Sequence, residues 1–217
     1  MYCKDLRNNG HTKSAVYDIY PSGASSRPVK VYCDMETMDG GWTAIQKRVN
    51  GSESFDRNWT EYKNGFGTPE QDIWIGNDLI HRLTEKKKSS LLVSITLVNG
   101  TRLFELYDQF SVSDEAEKYK IFLAGNATGT LGDSMLNTGL NGKNLSGMYF
   151  STPKTDNDKS GGFCAGSVGA RGGWWFNDCH YAFLNGNWAS VMWTLPWYPT
   201  ITSALSIKET MMMIKRH

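Results

Sequence analysis

The residues best suited to chemistry lie between Asp156 and His180. Asp156 and Asp158 are two carboxylates one residue apart, and Ser160, Gly161 and Gly162 follow on a chain flexible enough to curl its carbonyls round a cation. Calcium takes about six to eight oxygens at roughly 2.3 to 2.6 Å. Two aspartates give only part of that shell, so backbone carbonyls and water would complete it. The same Asp156-Asn157-Asp158 run is also ordinary turn chemistry with no metal at all. Downstream stand Cys164, the doublet Trp174 and Trp175, and then Asp178, Cys179 and His180. His180 beside Asp178 invites a general-base reading. However, adjacent residues of an extended chain point opposite ways, and no serine or cysteine nucleophile accompanies them. An enzyme is not expected. A binding pocket is better motivated: rings of Trp175, Phe176, Tyr181, Phe183 and Trp188 suit the apolar patches of a sugar or an acetyl methyl, with backbone N–H groups and His180 as polar anchors. Core packing explains some of these rings, and Trp174 and Trp175 are expected to split, one inward and one toward the loop wall.

Composition narrows the class. The 217 residues are 40% apolar and 12% aromatic with a formal charge of +1, enough for a sizeable core and without a polybasic or polyacidic signature. Nucleic acid is therefore not an implied partner. No apolar run reaches the ~18 residues of a membrane span, and the opening Met-Tyr-Cys-Lys-Asp does not read as a signal peptide. The even set Cys3, Cys33, Cys164 and Cys179 favours two local disulfides and lacks zinc spacing. Together with sequons at Asn50, Asn58, Asn99, Asn126 and Asn144, it points to a secreted protein.

The positioning elements can be read in outline. Val29 to Cys33 alternates like a strand, and a Cys3–Cys33 bridge would staple the segment 1–38, worth roughly 3 to 4 kcal/mol. A strand through Trp42 to Arg48 is expected to turn Trp42, Ala44 and Gln46 to one face. Trp59, Tyr62 and Phe66 fit one helical turn packed inward. Asn77 is expected to cap a helix through Leu79, Ile80 and Leu83, with His81 a packing residue and Lys86-Lys87-Lys88 a solvated turn. Asn99-Gly100 between two β-prone runs predicts a hairpin with both turn residues at positive φ. Tyr119 to Leu123 and a closing run over 203–214 supply further strands. The sum is an α+β fold with a largely antiparallel sheet and few short helices, the sheet built from 39–125 plus 203–214. Residues 126–202 form a loop-rich subregion for calcium and ligand.

Several ordered motifs carry a resemblance: Cys3, Cys33-Asp34-Met35, Gly40-Gly41-Trp42-Thr43, Asn58-Trp59 with Tyr62-Lys63-Asn64-Gly65-Phe66-Gly67, Asp156-Asn157-Asp158 eight residues ahead of Cys164, Gly173-Trp174-Trp175, Cys179-His180 and Leu184-Asn185-Gly186. From Cys3 to about Arg216 the chain resembles a fibrinogen-related C-terminal domain, a family of fibrinogen chains, ficolins, tachylectins, tenascin ends, angiopoietins and invertebrate lectins. The resemblance implies one domain, disulfides Cys3–Cys33 and Cys164–Cys179, and a structural Ca2+ held by Asp156, Asp158 and the carbonyls of Ser160 and Gly162. It also implies a cis Asp178–Cys179 bond that turns the N–H groups of Cys179 and His180 toward an acetyl oxygen, a geometry that costs about 3 to 4 kcal/mol unless its surroundings enforce it.

The Cys179-His180 pair places the chain on the ficolin and tachylectin side of that family. Ala170 stands where those lectins carry an aromatic, and the stretch from Gly186 to Trp193 is short, without the usual tyrosine-bearing loop. Arg171 could pair in bidentate fashion with a carboxylate. The resulting expectation is a lectin for acetylated sugars, sialic acid first, acting in agglutination or innate-immune recognition. Its ligand-binding residues would be Arg171, Trp175, Phe176, Cys179, His180, Tyr181, Phe183 and Trp188. An N-acetylhexosamine lectin of ficolin type, an angiopoietin-like receptor-binding domain and a clotting-type module that binds a peptide N-terminus are the alternatives. Weak single sites imply a homo-oligomer, at least a dimer, formed through the domain's own surface.

Overall fold

The hairpin around Asn99-Gly100 is the local feature from which the sheet grows. β6 (Ser89–Leu97) and β7 (Arg102–Val112) pair antiparallel with Leu91 opposite Tyr107 and Thr96 opposite Arg102. Its turn differs from the expected two-residue type. Leu97 N donates to Thr101 O at 2.8 Å and Gly100 takes φ 87°, whereas Asn99 stays out of the positive-φ region. Three residues, Val98 to Gly100, therefore make the connection, with glycine at the left-handed position. Asn99 Oδ1 accepts the Thr101 N–H at 2.9 Å instead of helping to invert the backbone.

In the computed structural model, which describes residues 1–23, 25–136, 144–167, 171–188, 192–203 and 206–217, this hairpin is one part of a nine-stranded antiparallel sheet. Helix α1 (Cys3–Asn8) precedes β1 (Ala15–Ile19), β2 (Val29–Asp34) and β3 (Trp42–Arg48). Helix α2 (Trp59–Asn64), the two-residue strands β4 (Phe66–Gly67) and β5 (Ile73–Trp74) and helix α3 (Asn77–Thr84) lead into the hairpin. After β8 (Ile121–Gly129) come β9 (Met192–Trp197), β10 (Ile201–Ser203) and β11 (Ile207–Arg216). The main path runs β1-β2-β3-β11-β6-β7-β8, with β5 and β4 hung on β3, while β9 and β10 form a separate pair. The last strand thus occupies the middle of the sheet.

Side-chain chemistry explains the helix starts. Asn58 Oδ1 accepts the Glu61 N–H at 3.1 Å and Glu61 answers to the Asn58 N–H at 2.9 Å, a reciprocal capping box. Tyr62 is fully buried, while Trp59 and Phe66 pack partly buried against the core. Asn77 does not cap α3. Gly76 holds that position, and Asn77 lies inside the helix with its Oδ1 accepting Trp74 Nε1–H at 3.0 Å. His81 Nδ1 lies 2.8 Å from Val112 O, a packing role.

A register shift corrects the expected face of Gln46. Met212 pairs with Gln46 and Met213 with Ala44, so Ile45 is an extra residue on β3. Such a bulge reverses the alternation. Trp42 and Ala44 join Leu92 and Met213 in a small cluster, whereas Gln46 and Arg48 turn the other way, toward the loops of 171–188. The main core lies on that same side and gathers Tyr62, Trp74, Phe110, Phe150, Trp174 and Trp175.

Candidate functional site

The loop-rich subregion is held to the sheet by buried polar anchors. Gln46 Nε2 donates to Leu184 O at 3.0 Å, Arg48 Nη1 to Gly186 O at 2.5 Å, and Asn185 Nδ2 to Gly173 O at 2.9 Å. Arg48 is sandwiched between the rings of Phe55 at 4.1 Å and Trp188 at 5.1 Å. Burial lowers its pKa to about 10. Gly51 makes room for Trp188: at φ 69° a Cβ there would lie 2.2 Å from Trp188 Cδ1. Gln46, Arg48 and Gly51 were not among the expected site residues. Their only sequence signal is polar residues continuing a strand pattern that otherwise buries apolar ones.

Both disulfides are formed, Cys3–Cys33 and Cys164–Cys179. The second ties the end of the aspartate loop to the Cys179 turn. Asp156 Oδ1 accepts Asp158 N–H at 3.1 Å, and Asp158 receives the N–H groups of Ser160 at 2.9 Å and Cys164 at 3.0 Å, one on each oxygen. Gly162 N donates to Ser160 Oγ at 3.3 Å, which continues the curl. Burial, together with the charge of Asp156 and a side-chain hydrogen bond to it, raises the Asp158 carboxyl pKa against the pull of those N–H groups. Two carboxylates forced together in this way form a donor set suited to a divalent cation, because a bound cation removes their repulsion. Among the described residues no three His, Cys, Asp or Glu side chains converge. A cation there would draw the rest of its shell from carbonyls, Ser160 and Gly162 included, and from water.

The Cys179 turn sits directly against this loop. Lys159 N donates to Asn177 O at 3.2 Å, Asn177 N to Cys179 O at 2.9 Å, and Asn177 Nδ2 to Asn144 O at 2.9 Å. Cys179, His180 and Tyr181 are half-exposed. The Asp178–Cys179 bond is not cis; among the described residues the cis bond is Tyr198–Pro199. Disulfide, aspartate loop and Asn177 therefore position the turn without the expected isomer.

The structure divides the expected aromatic wall. Trp175, Phe176 and Phe183 are completely buried, so their rings offer no face to a ligand. Trp174 is buried as well, and the two tryptophans meet edge to face at 5.5 Å instead of splitting. Trp175 Nε1 donates to Tyr119 O at 2.8 Å, the contact of a core residue. Phe176 and Phe183 instead form the floor under His180, with ring centres 5.5 and 4.9 Å away. Tyr181 remains at the surface and stacks on Tyr198 at 4.8 Å, both half-exposed; Tyr198 was not anticipated. Trp188 is half-exposed beside Arg48 in a cavity of about 450 Å³. Arg171 is exposed, and its Nε lies 2.7 Å from Asp56 Oδ2, so its guanidinium already faces a carboxylate of the protein. Ala170 lies outside the described residues.

The family model described as the C-terminal globular domain of fibrinogen beta and gamma chains matches residues 1–217. Human fibroleukin is 41% identical over 188 residues, 86% of this chain, and bovine fibroleukin is 40% identical over the same length. The chain spans 41% of the length of each of these relatives. Among solved structures, the fibrinogen-like globe domain of human ANGPTL2 superposes with a TM-score of 0.88 at 33% identity, covering 99% of this chain and 98% of that one. The corresponding domain of human ANGPTL6 gives 0.87 at 31%, covering 100% and 95%. A lamprey fibrin D-dimer complexed with the peptide Gly-His-Arg-Pro-amide gives 0.81 at 31%, covering 98% and 72%.

Proposed function

The chain belongs to the family of fibrinogen C-terminal globular domains, and from that premise we propose that it is a secreted lectin whose site is the Cys179-His180-Tyr181 turn. One observation carries the reading. The half-exposed turn is fixed by a disulfide and by Lys159 and Asn177 against the aspartate loop, and it carries the surface-stacked Tyr181–Tyr198 pair. A flat aromatic pair beside an imidazole suits a sugar that bears an acetyl group: the ring pair takes the apolar face, and His180 takes the polar contact. Ca2+ held by Asp156 and Asp158 with carbonyls of Ser160 and Gly162 braces the turn from the far side of the disulfide. Two closed disulfides suit an oxidising compartment.

In its finer form the sugar is sialic acid. Arg171 then exchanges Asp56 for the carboxylate of the sugar, an exchange that costs affinity relative to an unpaired arginine. N-acetylhexosamines need no such exchange. Calorimetric titration of N-acetylneuraminic acid and N-acetylglucosamine, each with and without Ca2+, tests both levels. Millimolar binding of either supports a lectin, since shallow wet pockets hold single sugars at about that strength. Sialidase-insensitive binding to a glycan array removes the sialic-acid form. Weak single sites call for at least a dimer, and a monomer in sedimentation at micromolar concentration contradicts that.

A second reading is favoured by the peptide seated on the lamprey fibrin relative and by the loss of three aromatics from the expected wall. In that reading the turn recognises a protein or peptide partner, as a receptor-binding or clotting-type domain would. Indifference to free acetylated sugars at tens of millimolar selects it.

A further inference from the structure

A second charged feature lies at one end of the sheet, where β11 finishes and β6 begins. Lys215 on β11 pairs with Ser90 on β6, and its ammonium reaches back over the Trp42 ring at 4.4 Å to donate to Met38 O at 3.0 Å. His217 N donates to Lys88 O at 3.0 Å, and its Nε2 lies 2.7 Å from Ser90 Oγ. From the other side α1 crosses the start of β3: a Cβ on Gly41 would meet Lys4 Cα at 3.0 Å and Arg7 Cβ at 3.4 Å. Arg216 lies over the Tyr2 ring at 4.1 Å. Arg7 Nε and Arg216 Nε are buried nitrogens with no hydrogen-bond acceptor. Lys87 and Lys88 are exposed beside this cluster.

We infer that this end of the sheet is a binding site for a linear sulfated polysaccharide, separate from the Cys179 turn. Lys4 and Arg7, Lys215, and then His217 with Lys88 follow one another across the adjacent strands β3, β11 and β6. Strands are spaced about 4.8 Å apart, so three of them set the row about 10 Å long, more than one small anion needs. The charges already oppose one another: burial and then Lys4, Lys215 and Lys88 lower the His217 pKa, with Asp108 acting the other way. Burial also lowers that of Lys215, which Asp39 offsets in part. A polyanion laid along the row relieves that repulsion and releases its own counterions. The neighbouring rings of Trp42 and Tyr2 are covered by Lys215 and Arg216, so they offer no stacking platform of the kind that single-stranded nucleic acid uses.

Immobilised heparin, eluted with a sodium chloride gradient, tests the site on the full chain. The parent protein is expected to stay bound at the physiological ionic strength of about 0.15 M. The double variant Lys4→Glu, Lys88→Glu should elute below it, and each lost contact should flatten the logarithmic salt slope by roughly 0.7 to 1. Lys88 is exposed, and at half-buried Lys4 an acidic residue in the first turn of α1 suits the helix dipole. A thermal midpoint unchanged from the parent keeps the comparison valid, and Lys88→Glu alone, in the exposed turn, replaces the double variant if that unfolds. Elution of the parent below that salt, or of parent and variant together, overturns the inference. So does equal retention on a plain sulfonate resin, or tighter binding to vesicles of anionic phospholipid than to heparin. Sugar binding at His180 is independent of every one of these results.

Discussion

His180 is placed to act through its polar edge while its ring is held by Phe176 and Phe183. Two substitutions separate those roles. His180→Ala removes both and is expected to weaken acetyl-sugar binding about tenfold, roughly 1.4 kcal/mol, with a stability loss of about 0.5 to 1.5 kcal/mol from the ring contacts. His180→Phe should keep the stability and still lose the binding. Titration calorimetry and thermal unfolding of both variants check this, and a His180→Phe protein that binds like the parent refutes the assignment. A second residue-scale effect concerns Glu105, which is 2% exposed with one oxygen accepting Gly132 N–H at 2.8 Å. Burial, and then the charge of Asp133, push its carboxyl pKa up. Such a group favours the fold below its unfolded pKa and loses that contribution as pH rises through the folded value. Glu105→Gln is therefore expected to be more stable than the parent at neutral pH, with the advantage fading toward about pH 4, where both side chains are neutral. Urea denaturation at the two pH values reads it. None of this residue-level division was legible in the sequence. Phe176, Tyr181 and Phe183 look alike as a run of rings, and only their packing separates them: Phe183 meets Phe176 and Trp174 in the core, whereas Tyr181 meets Tyr198 at the surface.

At the scale of elements, the two disulfides hold different things. Cys3–Cys33 joins α1 to β2, so its loss loosens the edge of the sheet; opening a loop of 30 residues costs roughly 3 to 4 kcal/mol. Cys164–Cys179 closes 15 residues of loop, and its removal should instead free the Cys179 turn while the sheet persists. Hydrogen exchange on the serine-substituted pairs distinguishes them: β1 and β2 amides should lose protection in the first, and those of 156–164 and 177–181 in the second. Chelation of Ca2+ is expected to imitate the second pattern, and unchanged exchange in that loop after EDTA treatment removes the proposed brace. Local patterns were readable where they depend on near neighbours. The helical turn that carries Trp59 and Tyr62, the β6–β7 hairpin and the strand character of the last residues all announce themselves. The bulge at Ile45 does not, because it is defined by the partner strand β11, more than 150 residues away in sequence. The same reason hid the anchoring of the site by Gln46 and Arg48.

At the scale of the whole molecule, the order β3-β11-β6 makes the fold depend on its last strand. β11 pairs with β3 from Thr43 to Arg48 on one side and with β6 from Ser89 to Leu97 on the other. It also places Met212 and Ile214 in the main core and Met213 in the second cluster. Without β11 the sheet would separate into two pieces, each with an unpaired edge and an uncovered apolar face. Smaller sheets of that kind are marginal. A chain ending at Ser206 is therefore expected to lack a cooperative thermal transition, even though every residue of the aspartate loop and the Cys179 turn is present. Met212→Ala should leave the full chain folded but weaker by about 2 to 5 kcal/mol, the usual cost of emptying a buried methionine site. Since β3 meets β2 and β5 nearby in sequence but β11 only from far away, closure of the sheet across β3 and β11 should be a slow, late event. Pulsed hydrogen exchange during refolding should show the β3 amides that face β11 gaining protection together with those of β11, after the β6–β7 hairpin has gained its own. Protection of those β3 amides before β11 would mean that the sheet can close without its central strand, and the dependence of the whole fold on residues 207–216 would then be lost.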